Sequence, residues 1–538
     1  MKLTKRGAAL AVGAAAFATG AALAAGAGAA PFSDPALTNV PSANTKSEGY
    51  SPPSVLSAEL SQVVVAQGST RLDNTSPLTS YYGYDNDVLN ADGKPQMVPT
   101  PANPSDEAQK TEPDKNTYLV FKHGLSGADS SYDYGTHFLF QGHEAGVDDA
   151  GYITRINLDA DAAHRVTLLA TQDVDGKPIS TIDGSTWDPW ARRILLTTEN
   201  EDAPTYAATP DYPSKVADVS GALGRGGYEG IQDDSAGNIW IVEDIGGANK
   251  GDTKARRPNS FIYRYVPAKP GDLAHGKLEA LQVLNQHGDA ITFDSQAALN
   301  SPDQVALHTY GNTFKTRWVT IHDTTTDGNE PFNANELAKA ADATPFKRPE
   351  NGQFRPDSGF TEFYFDETGD TNATSPENSN AGGWGSIMKL TQRNPSASTG
   401  RLTMLYRSDE AHSSLDNVTF LSRDDVTFVQ DAGDTLHTQA NALDSGFVWN
   451  VKVNYANPAN QPLRWLAEGR DPSATIDSAN DGFGKNDGDN EITGVHVSDG
   501  SPGVDGILGA RSPKLGRDGW RWFYTQQHGD NPTYEVIP

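Results

Sequence analysis

Four stretches of the chain share one pattern of turns and strands, and this repeat limits the fold more than any other feature. In each stretch a polar or acidic residue precedes a tight turn, a short strand of aromatic and β-branched residues follows, and that strand ends in a carboxylate or an amide. The spacing is identical in residues 229–244 and 416–431, is kept in 185–200, and is kept with an insertion in 491–527. A hairpin repeated at long intervals is typical of a β-propeller, because each blade needs neighbouring blades to bury its faces.

The repeat therefore predicts an all-β protein, a β-propeller of about six blades with long inter-blade insertions. Residues 151–158, 261–266, 386–390 and 447–453 alternate apolar and polar side chains, and we interpret them as strands that precede the acidic hairpins. The best helical segment, 333–343, predicts a short helix in an insertion. Strand-end carboxylates from several blades would meet around one central funnel, which predicts a site for hard cations.

The N-terminal residues have the order of an export signal. Lys2, Lys5 and Arg6 precede an apolar run rich in Ala and Gly, and residues 27–29 (Ala-Gly-Ala) supply the small side chains of a cleavage site. We predict a signal peptide over residues 1–29 and a secreted or periplasmic protein without a membrane span in its mature chain, because a span needs ~20 strongly apolar residues. The Lys-Arg pair also resembles a twin-arginine signal with its first Arg replaced, so two export routes stay open.

The domain boundaries follow from a change in composition. Residues 30–114 are rich in Pro, Ser, Asn and Thr and contain few periodic segments, so we predict an extended N-terminal lead-in that lies over the main body. Strands begin at residue 117 and alternate with turns to the end of the chain. Residues 115–538 are therefore predicted to form the propeller domain.

Composition excludes several kinds of chemistry. Cysteine is absent from all 538 residues, which excludes thiol nucleophiles, disulfides and cysteine-ligated metal sites. With 42 basic and 70 acidic residues the formal net charge is −28, and a field of this sign repels nucleic acids and anionic membranes, so neither is expected as a partner. A Gly-x-Ser-x-Gly elbow, a zincin motif and a Walker loop are also absent. The strand-end carboxylates are the chemistry that remains.

Seven short segments that carry acidic, basic or amide side chains next to turns follow one another along the chain. They are residues 139–144 (Leu-Phe-Gln-Gly-His-Glu), 184–200, 228–230 (Tyr-Glu-Gly), 346–350 (Phe-Lys-Arg-Pro-Glu), 414–417 (Ser-Leu-Asp-Asn), 491–494 (Glu-Ile-Thr-Gly) and 527–529 (Gln-His-Gly). In order and composition they resemble the PhoX family of bacterial alkaline phosphatases. The resemblance covers most of the mature chain and implies a six-bladed propeller with an iron and calcium cluster at its centre.

The segments depart from the family pattern at three positions. Gly142 stands where the family has Asn, Asn200 stands where it has a second Glu, and Thr198 stands where it has the Cys that binds iron. A hydroxyl is a far poorer ligand for ferric iron than a thiolate, whereas oxygen ligands suit calcium, magnesium or manganese. We therefore expect calcium as the cofactor, and iron is the second candidate.

The resemblance also implies roles for individual residues. Arg348 and Glu350 are implied as catalytic residues, because a planar guanidinium fits a phosphoryl dianion. The implied metal ligands are Glu144, Thr198, Glu199, Glu229, Glu350, Asp416 and Glu491. Cations must outweigh these carboxylates before an anionic substrate can bind, and they can then polarise the phosphoryl oxygens and activate an oxygen nucleophile.

Two functions of different class stay open. The first is a secreted, metal-dependent phosphatase, a phosphoric ester hydrolase that acts on small phosphomonoesters, with diesters as a second substrate class. The second is a non-catalytic, calcium-binding extracellular propeller that serves as a binding module. The series of glutamates and Arg348 favour the first function, and Thr198 favours the second.

Overall fold

Short antiparallel strands make up most of the regular secondary structure in the described part of the chain. The computed structural model describes residues 36–47, 52–97, 107–250, 255–369, 376–470 and 491–538. In this part of the chain four strands precede Asp114: β1 (Val55–Leu56), β2 (Ser61–Ala66), β3 (Thr79–Tyr81) and β4 (Tyr84–Asp85). The predicted signal peptide, residues 1–29, lies outside the described residues.

The strands that follow fall, within the described segments, into six consecutive antiparallel groups, of which the third and fourth are joined in one nine-stranded sheet. The first group is β5 (Thr117–Val120), β6 (His137–Gly142), β7 (Ile153–Asn157) and β8 (Val166–Ala170), and the second is β9 (Ser185–Asp188), β10 (Arg193–Leu196), β11 (Tyr206–Ala208) and β12 (Val216–Asp218). The third is β13 (Tyr228–Asp233), β14 (Ile239–Glu243), β15 (Ile262–Pro267) and β16 (Gly276–Leu284), extended by β17 (Phe314–Asp323), and the fourth is β18 (Gly352–Phe354), β19 (Glu362–Glu367), β20 (Ser386–Gln392) and β21 (Thr399–Arg407). The fifth is β22 (Leu415–Phe420), β23 (Asp425–Gln430), β24 (Ser445–Asn450) and β25 (Leu463–Ala467), and the sixth is β26 (Ile492–Ser498), β27 (Arg521–Gln526) and β28 (Thr533–Ile537).

The first strands of the six groups form a closed ring. Each of them lies against the first strand of the next group, in the order β5, β9, β13, β18, β22 and β26, and β26 lies against β5. The last group takes its fourth strand from the N-terminal region, because β2 pairs with β28. In the same way β1 pairs with β25 at the outer edge of the fifth group. The predicted lead-in thus contributes two strands to the sheets of the main body.

Apolar side chains between neighbouring groups hold the ring together. Trp240 on β14 is 1% exposed, and its ring centroid lies 5.1 Å from that of Trp318 and 5.0 Å from that of Phe354. The contact with Phe354 on β18 joins the third and fourth groups, which also share a ladder between β17 and β21. Truncating such a buried aromatic side chain to Ala costs about 3–5 kcal/mol.

Helices are few and short in the described segments. They are α1 (Ser220–Leu223), α2 (Pro302–Leu307), α3 (Ala334–Ala340) and α4 (Gly433–Ala440). The Asn333 side chain accepts a hydrogen bond from the backbone N–H of Glu336 and caps α3, so the helix predicted at 333–343 is confirmed. None of the described helices combines the length and apolarity that would let it cross a membrane.

The four alternating segments occupy the same position in four groups of strands. Residues 151–158, 261–266, 386–390 and 447–453 contain β7, β15, β20 and β24, which are the third strands of their groups. Each of them follows the hairpin of its own group and precedes the hairpin of the next group along the chain, so the predicted order holds between consecutive groups. Most of their residues are buried on both faces of the sheet.

Candidate metal centre and active site

Acidic side chains gather at one end of the ring of first strands. An antiparallel hairpin brings the start of its first strand next to the end of its second strand, so acids at both positions meet at the same end. The acids at or just before the six first strands are Asp114, Asp183, Glu229, Glu350, Asp416 and Glu491. The acids just after the second strands are Glu144, Glu199, Asp244 and Asp431.

β-Bulges direct two of these carboxylates. In the third group the ladder shifts between Tyr228 and Ile231, and in the fifth it shifts between Leu415 and Val418. Glu229 and Asp416 lie inside these shifts, where an extra residue bends the strand and re-aims its side chain. This is the structural meaning of the identical spacing in the two segments.

A close backbone contact sets the position of the second group against the third. A Cβ atom on Gly184 would lie 1.8 Å from the carbonyl oxygen of Glu229, so only glycine allows this approach. The Thr197 hydroxyl donates a hydrogen bond of 2.8 Å to the same carbonyl oxygen. Asp183, which precedes Gly184, is thereby held next to Glu229.

The carboxylates approach one another closely enough to share cations. Four overlapping groups of three have oxygen atoms within 4.8 Å of one another. The groups are Asp114, Glu144 and Asp183; Asp183, Glu199 and Glu229; Glu199, Asp244 and Glu350; and Glu229, Glu350 and Asp416. These eight residues are called the carboxylate cluster below. Glu199 is its exposed member, so the cluster opens to solvent at that end of the ring.

Electrostatics show how unfavourable the clustered charges are without cations. Burial, with repulsion from Asp183 and Glu350, raises the pKa of Glu229 well above its usual range. Burial and the charge of Asp244 do the same to Glu350. Burial raises the pKa of Asp114 to about 6. Glu199 is the exposed member of the cluster, but partial loss of hydration beside the other carboxylates, together with repulsion from Asp244, still raises its pKa to about 7. Each carboxyl is therefore more easily protonated than it would be in water.

Arg348 neutralises one side of the cluster. Its Nε donates to Oδ1 of Asp244 over 3.0 Å and its Nη2 donates to Oδ2 over 2.5 Å, while Nη2 also lies 3.5 Å from Oε1 of Glu350. Burial opposes the charge, but Asp244 and Glu350 outweigh it and raise the pKa of Arg348. The side chain is still 31% exposed, so the guanidinium stands at the entrance of the cluster.

The donor set fits hard cations. Oε2 of Glu229 and Oδ1 of Asp183 are buried and have no hydrogen-bond partner among the described residues, which is costly unless a cation satisfies them. All eight side chains offer carboxylate oxygens, the ligands that calcium and magnesium prefer. The residues therefore fit oxygen-ligated divalent cations, and no thiolate is present in the chain.

The predicted site residues converge, with two qualifications. Glu144, Glu199, Glu229, Glu350 and Asp416 belong to the cluster. Glu491 stands beside it: burial and the charges of Asp431 and Glu144 raise its pKa, and its carboxylate lies 3.6 Å from Nε2 of His528. Thr198 is buried next to Glu199, but its hydroxyl donates to the carbonyl oxygen of Pro204 over 3.3 Å.

Sequence reasoning missed Asp114, Asp183 and Asp244 as candidate ligands. Asp183 precedes a glycine just as Glu229 does, so an acid followed by glycine ahead of a strand was a usable signal. Asp244 was recognised as a strand end but was not assigned to the site. Asp114 lies at the end of the predicted lead-in, where no strand pattern marks it.

Comparison with known proteins gives one family and one fold. The family model for the alkaline phosphatase PhoX matches residues 222–501. The structure of Pseudomonas fluorescens PhoX, in complex with the transition state analogue vanadate, is similar with a TM-score of 0.52 and 10% sequence identity, over 92% of this chain and 98% of that chain. This similarity confirms the predicted β-propeller, and the number of blades stays a prediction.

Other solved structures are less similar. A gluconolactonase from Xanthomonas campestris gives a TM-score of 0.33 at 10% identity, over 86% of this chain and 99% of that chain. An auxiliary nutrient binding protein from Bacteroides thetaiotaomicron gives 0.33 at 9% identity, over 83% and 81%. No curated protein sequence matches the chain.

Proposed function

Because the chain belongs to the alkaline phosphatase PhoX family of phosphatase-type hydrolases, we propose that it is a secreted, metal-dependent phosphatase of phosphomonoesters, with diesters as a second substrate class. The observation that carries the proposal is the carboxylate cluster, in which four overlapping sets of oxygens lie beside one partly exposed arginine. So many mutually repelling acids would destabilise a protein that did not bind cations with them.

The proposed metal ligands are the carboxylates of the cluster together with Glu491. Calcium is the first candidate, because the donors are oxygens and because a hydroxyl at Thr198 replaces the thiolate that would favour iron. Bound cations would polarise phosphoryl oxygens and lower the pKa of an oxygen nucleophile. Glu350 is proposed as a shared residue, since it reaches both Arg348 and the carboxylates of Glu229 and Asp416.

Arg348 is proposed to bind and orient the phosphoryl group. Its bonds to Asp244 use Nε and Nη2, which leaves Nη1 to donate to an oxygen of an incoming anion. The carboxylate of Asp244 holds the guanidinium plane in one orientation, which reduces the entropy lost when substrate binds. The exposed position of Glu199 at the same end gives small phosphoesters a route to the cluster.

The proposal is tested with purified mature protein. We expect divalent cations in the protein as isolated, and hydrolysis of an aryl phosphate that is lost on chelation and restored by added calcium. Iron is added in a parallel series to test the second candidate. Tightly bound calcium without hydrolysis of monoesters or diesters in any metal would instead support the non-catalytic binding module.

Export is tested separately. We expect the N-terminus of the protein recovered outside the cytoplasm to lie just after Ala29, because residues 27–29 form the predicted cleavage site. Recovery of the uncleaved chain only from the cytoplasm would contradict the proposed secretion.

A further inference from the structure

A second cation, Lys115, lies at the inner side of the carboxylate cluster. It follows Asp114, precedes β5 and is 6% exposed. Its Nζ donates to Oδ1 of Asn417 over 2.9 Å and to the carbonyl oxygen of Val495 over 3.4 Å. The ammonium therefore reaches from the first group of strands to the fifth and sixth groups.

The positive charge of Lys115 interacts with several acids and is not neutralised by a single ion pair. Both oxygens that hold Nζ are uncharged, and among the described residues no carboxylate oxygen forms a salt bridge with it. Burial lowers the pKa of Lys115, and the charges of four acids oppose this shift; they are, largest first, Asp416, Asp114, Glu229 and Asp183. All four belong to the cluster and come from four different groups of strands.

The hydrogen bonds around Lys115 also tie it to two candidate ligands. The Asn417 amide, which accepts from Lys115, donates to both carboxylate oxygens of Asp416 and to the Thr493 hydroxyl. That hydroxyl donates to Oδ1 of Asp114 over 2.6 Å. Lys115 is thus tied to a different part of the cluster from Arg348, whose partners are Asp244 and Glu350.

Lys115 marks the floor of the cluster. On its other side a cavity of about 30 Å³ continues along the first strands, and its lining includes Ser185, Asn351 and His496. No carboxylate lines that cavity. Among the residues that line this cavity, Lys115 is therefore the one that also borders the carboxylate cluster.

We propose that Lys115 is a fixed cation of the cluster that limits the number of metal ions the cluster binds. This inference rests on the metal binding of the proposed function. The ammonium supplies, at the floor, positive charge that Asp114, Asp416 and their neighbours would otherwise take from a further divalent cation. Removing it leaves buried carboxylates without compensation, and such groups recruit a cation when one is available.

The test is a count of bound calcium in the Lys115→Met variant, in which a neutral side chain of similar length replaces the lysine. We expect this variant to bind about one equivalent of calcium per chain more than the wild type does. The count is measured by elemental analysis and by calorimetric titration of protein from which a chelator has removed the metal. Lys110→Met is the matched control, because Lys110 is equally buried but pairs with Glu107 outside the cluster. Its calcium count should equal that of the wild type.

Other outcomes are decisive as well. An unchanged or lower calcium count in Lys115→Met overturns the inference, even if the wild type binds metal and is active. A metal-free wild type beside a calcium-binding Lys115→Met protein would support the inference and contradict the proposed function, whereas metal-free protein in both cases contradicts both. If Lys115→Met does not fold, Lys115→Gln, which keeps an N–H donor, decides by the same count, and failure of both variants to fold in calcium overturns the inference.

Discussion

Arg348 and Asp244 form a two-pronged ion pair between neighbouring groups of strands at the entrance of the carboxylate cluster. Asp244 follows β14 of the third group and Arg348 precedes β18 of the fourth, and two guanidinium nitrogens meet the two carboxylate oxygens. Such a pair fixes the plane of the guanidinium as well as its position. A lysine would keep the charge and lose that plane.

Arg348→Lys should therefore weaken binding of phosphoryl anions. We expect the inhibition constant of inorganic phosphate to rise about tenfold or more, equivalent to about 1.4 kcal/mol, with a smaller change in calcium content. Arg355→Lys is the control, because Arg355 forms ion pairs with Glu362 and Asp424 away from the cluster. Equal phosphate inhibition in Arg348→Lys and wild type would contradict the assigned role.

Glu229→Gln and Glu350→Gln should each remove metal and activity without unfolding the chain. An amide keeps the shape of the side chain but loses the charge that holds a cation, so metal affinity should fall at least about 10–100-fold. Circular dichroism should show unchanged strand content. The exposed Glu336→Gln on α3 serves as the control; wild-type hydrolysis in both cluster variants would show that the site lies elsewhere.

Chelation should lower the melting temperature. Empty carboxylates repel one another, and a cation at a hundred times its dissociation constant stabilises the folded state by about 2.7 kcal/mol. Scanning calorimetry with and without excess chelator measures the difference, and added calcium should reverse it. Identical melting curves for protein that contained metal at the start would be incompatible with a structural role for the cluster.

The metal-free protein should become less stable as pH rises. The folded-state pKa values of about 6 for Asp114 and about 7 for Glu199 exceed the ordinary values of 3.8 and 4.5. When the pKa of a carboxyl is higher in the folded state than in the unfolded state, protonation favours folding. This stabilisation is complete at a pH below the unfolded-state pKa and is lost as pH rises through the folded-state pKa. The melting temperature of chelated protein should therefore fall between about pH 4 and pH 7, and calcium should flatten the curve. A melting temperature that rises over this pH range would contradict the raised pKa values of these carboxyls.

Thr198→Cys should raise iron content. The threonine hydroxyl makes one long hydrogen bond to Pro204, so its loss should cost at most about 1 kcal/mol, while a thiolate beside Glu199 adds a soft ligand. Iron is measured after reconstitution, together with phosphatase activity. Thr205→Cys places a thiol at another buried threonine and should bind none, and equal iron in both variants would count against a ligand position at 198.

The sequence predicted the parts of the site that local geometry encodes. Glu229 and Asp416 have matching spacing because their hairpins share one register, in which Tyr228 faces Glu243 and Leu415 faces Gln430. A local pattern of this kind can be recognised without the fold. The same applies to α3, whose cap and helical residues are contiguous.

The rest depends on contacts between distant parts of the chain. Asp114 joins the cluster through a hydrogen bond with Thr493, which is 379 residues away, and no local pattern contains that contact. The position of Lys115 could not be predicted for the same reason, because its partners Asn417 and Val495 come from strands much later in the chain. Charge compensation inside the cluster is therefore a property of the closed ring.

The pairing of β2 with β28 has a consequence for biosynthesis. The last group of strands needs a strand from each end of the chain, and the Asp114 side of the cluster meets Thr493 and Gln527 only after that group has formed. A nascent chain that is still on the ribosome can already contain several of these acids, but it cannot yet bring them together around Lys115. A product truncated before β26 should for the same reason be defective in metal binding, even though it retains all eight residues of the cluster.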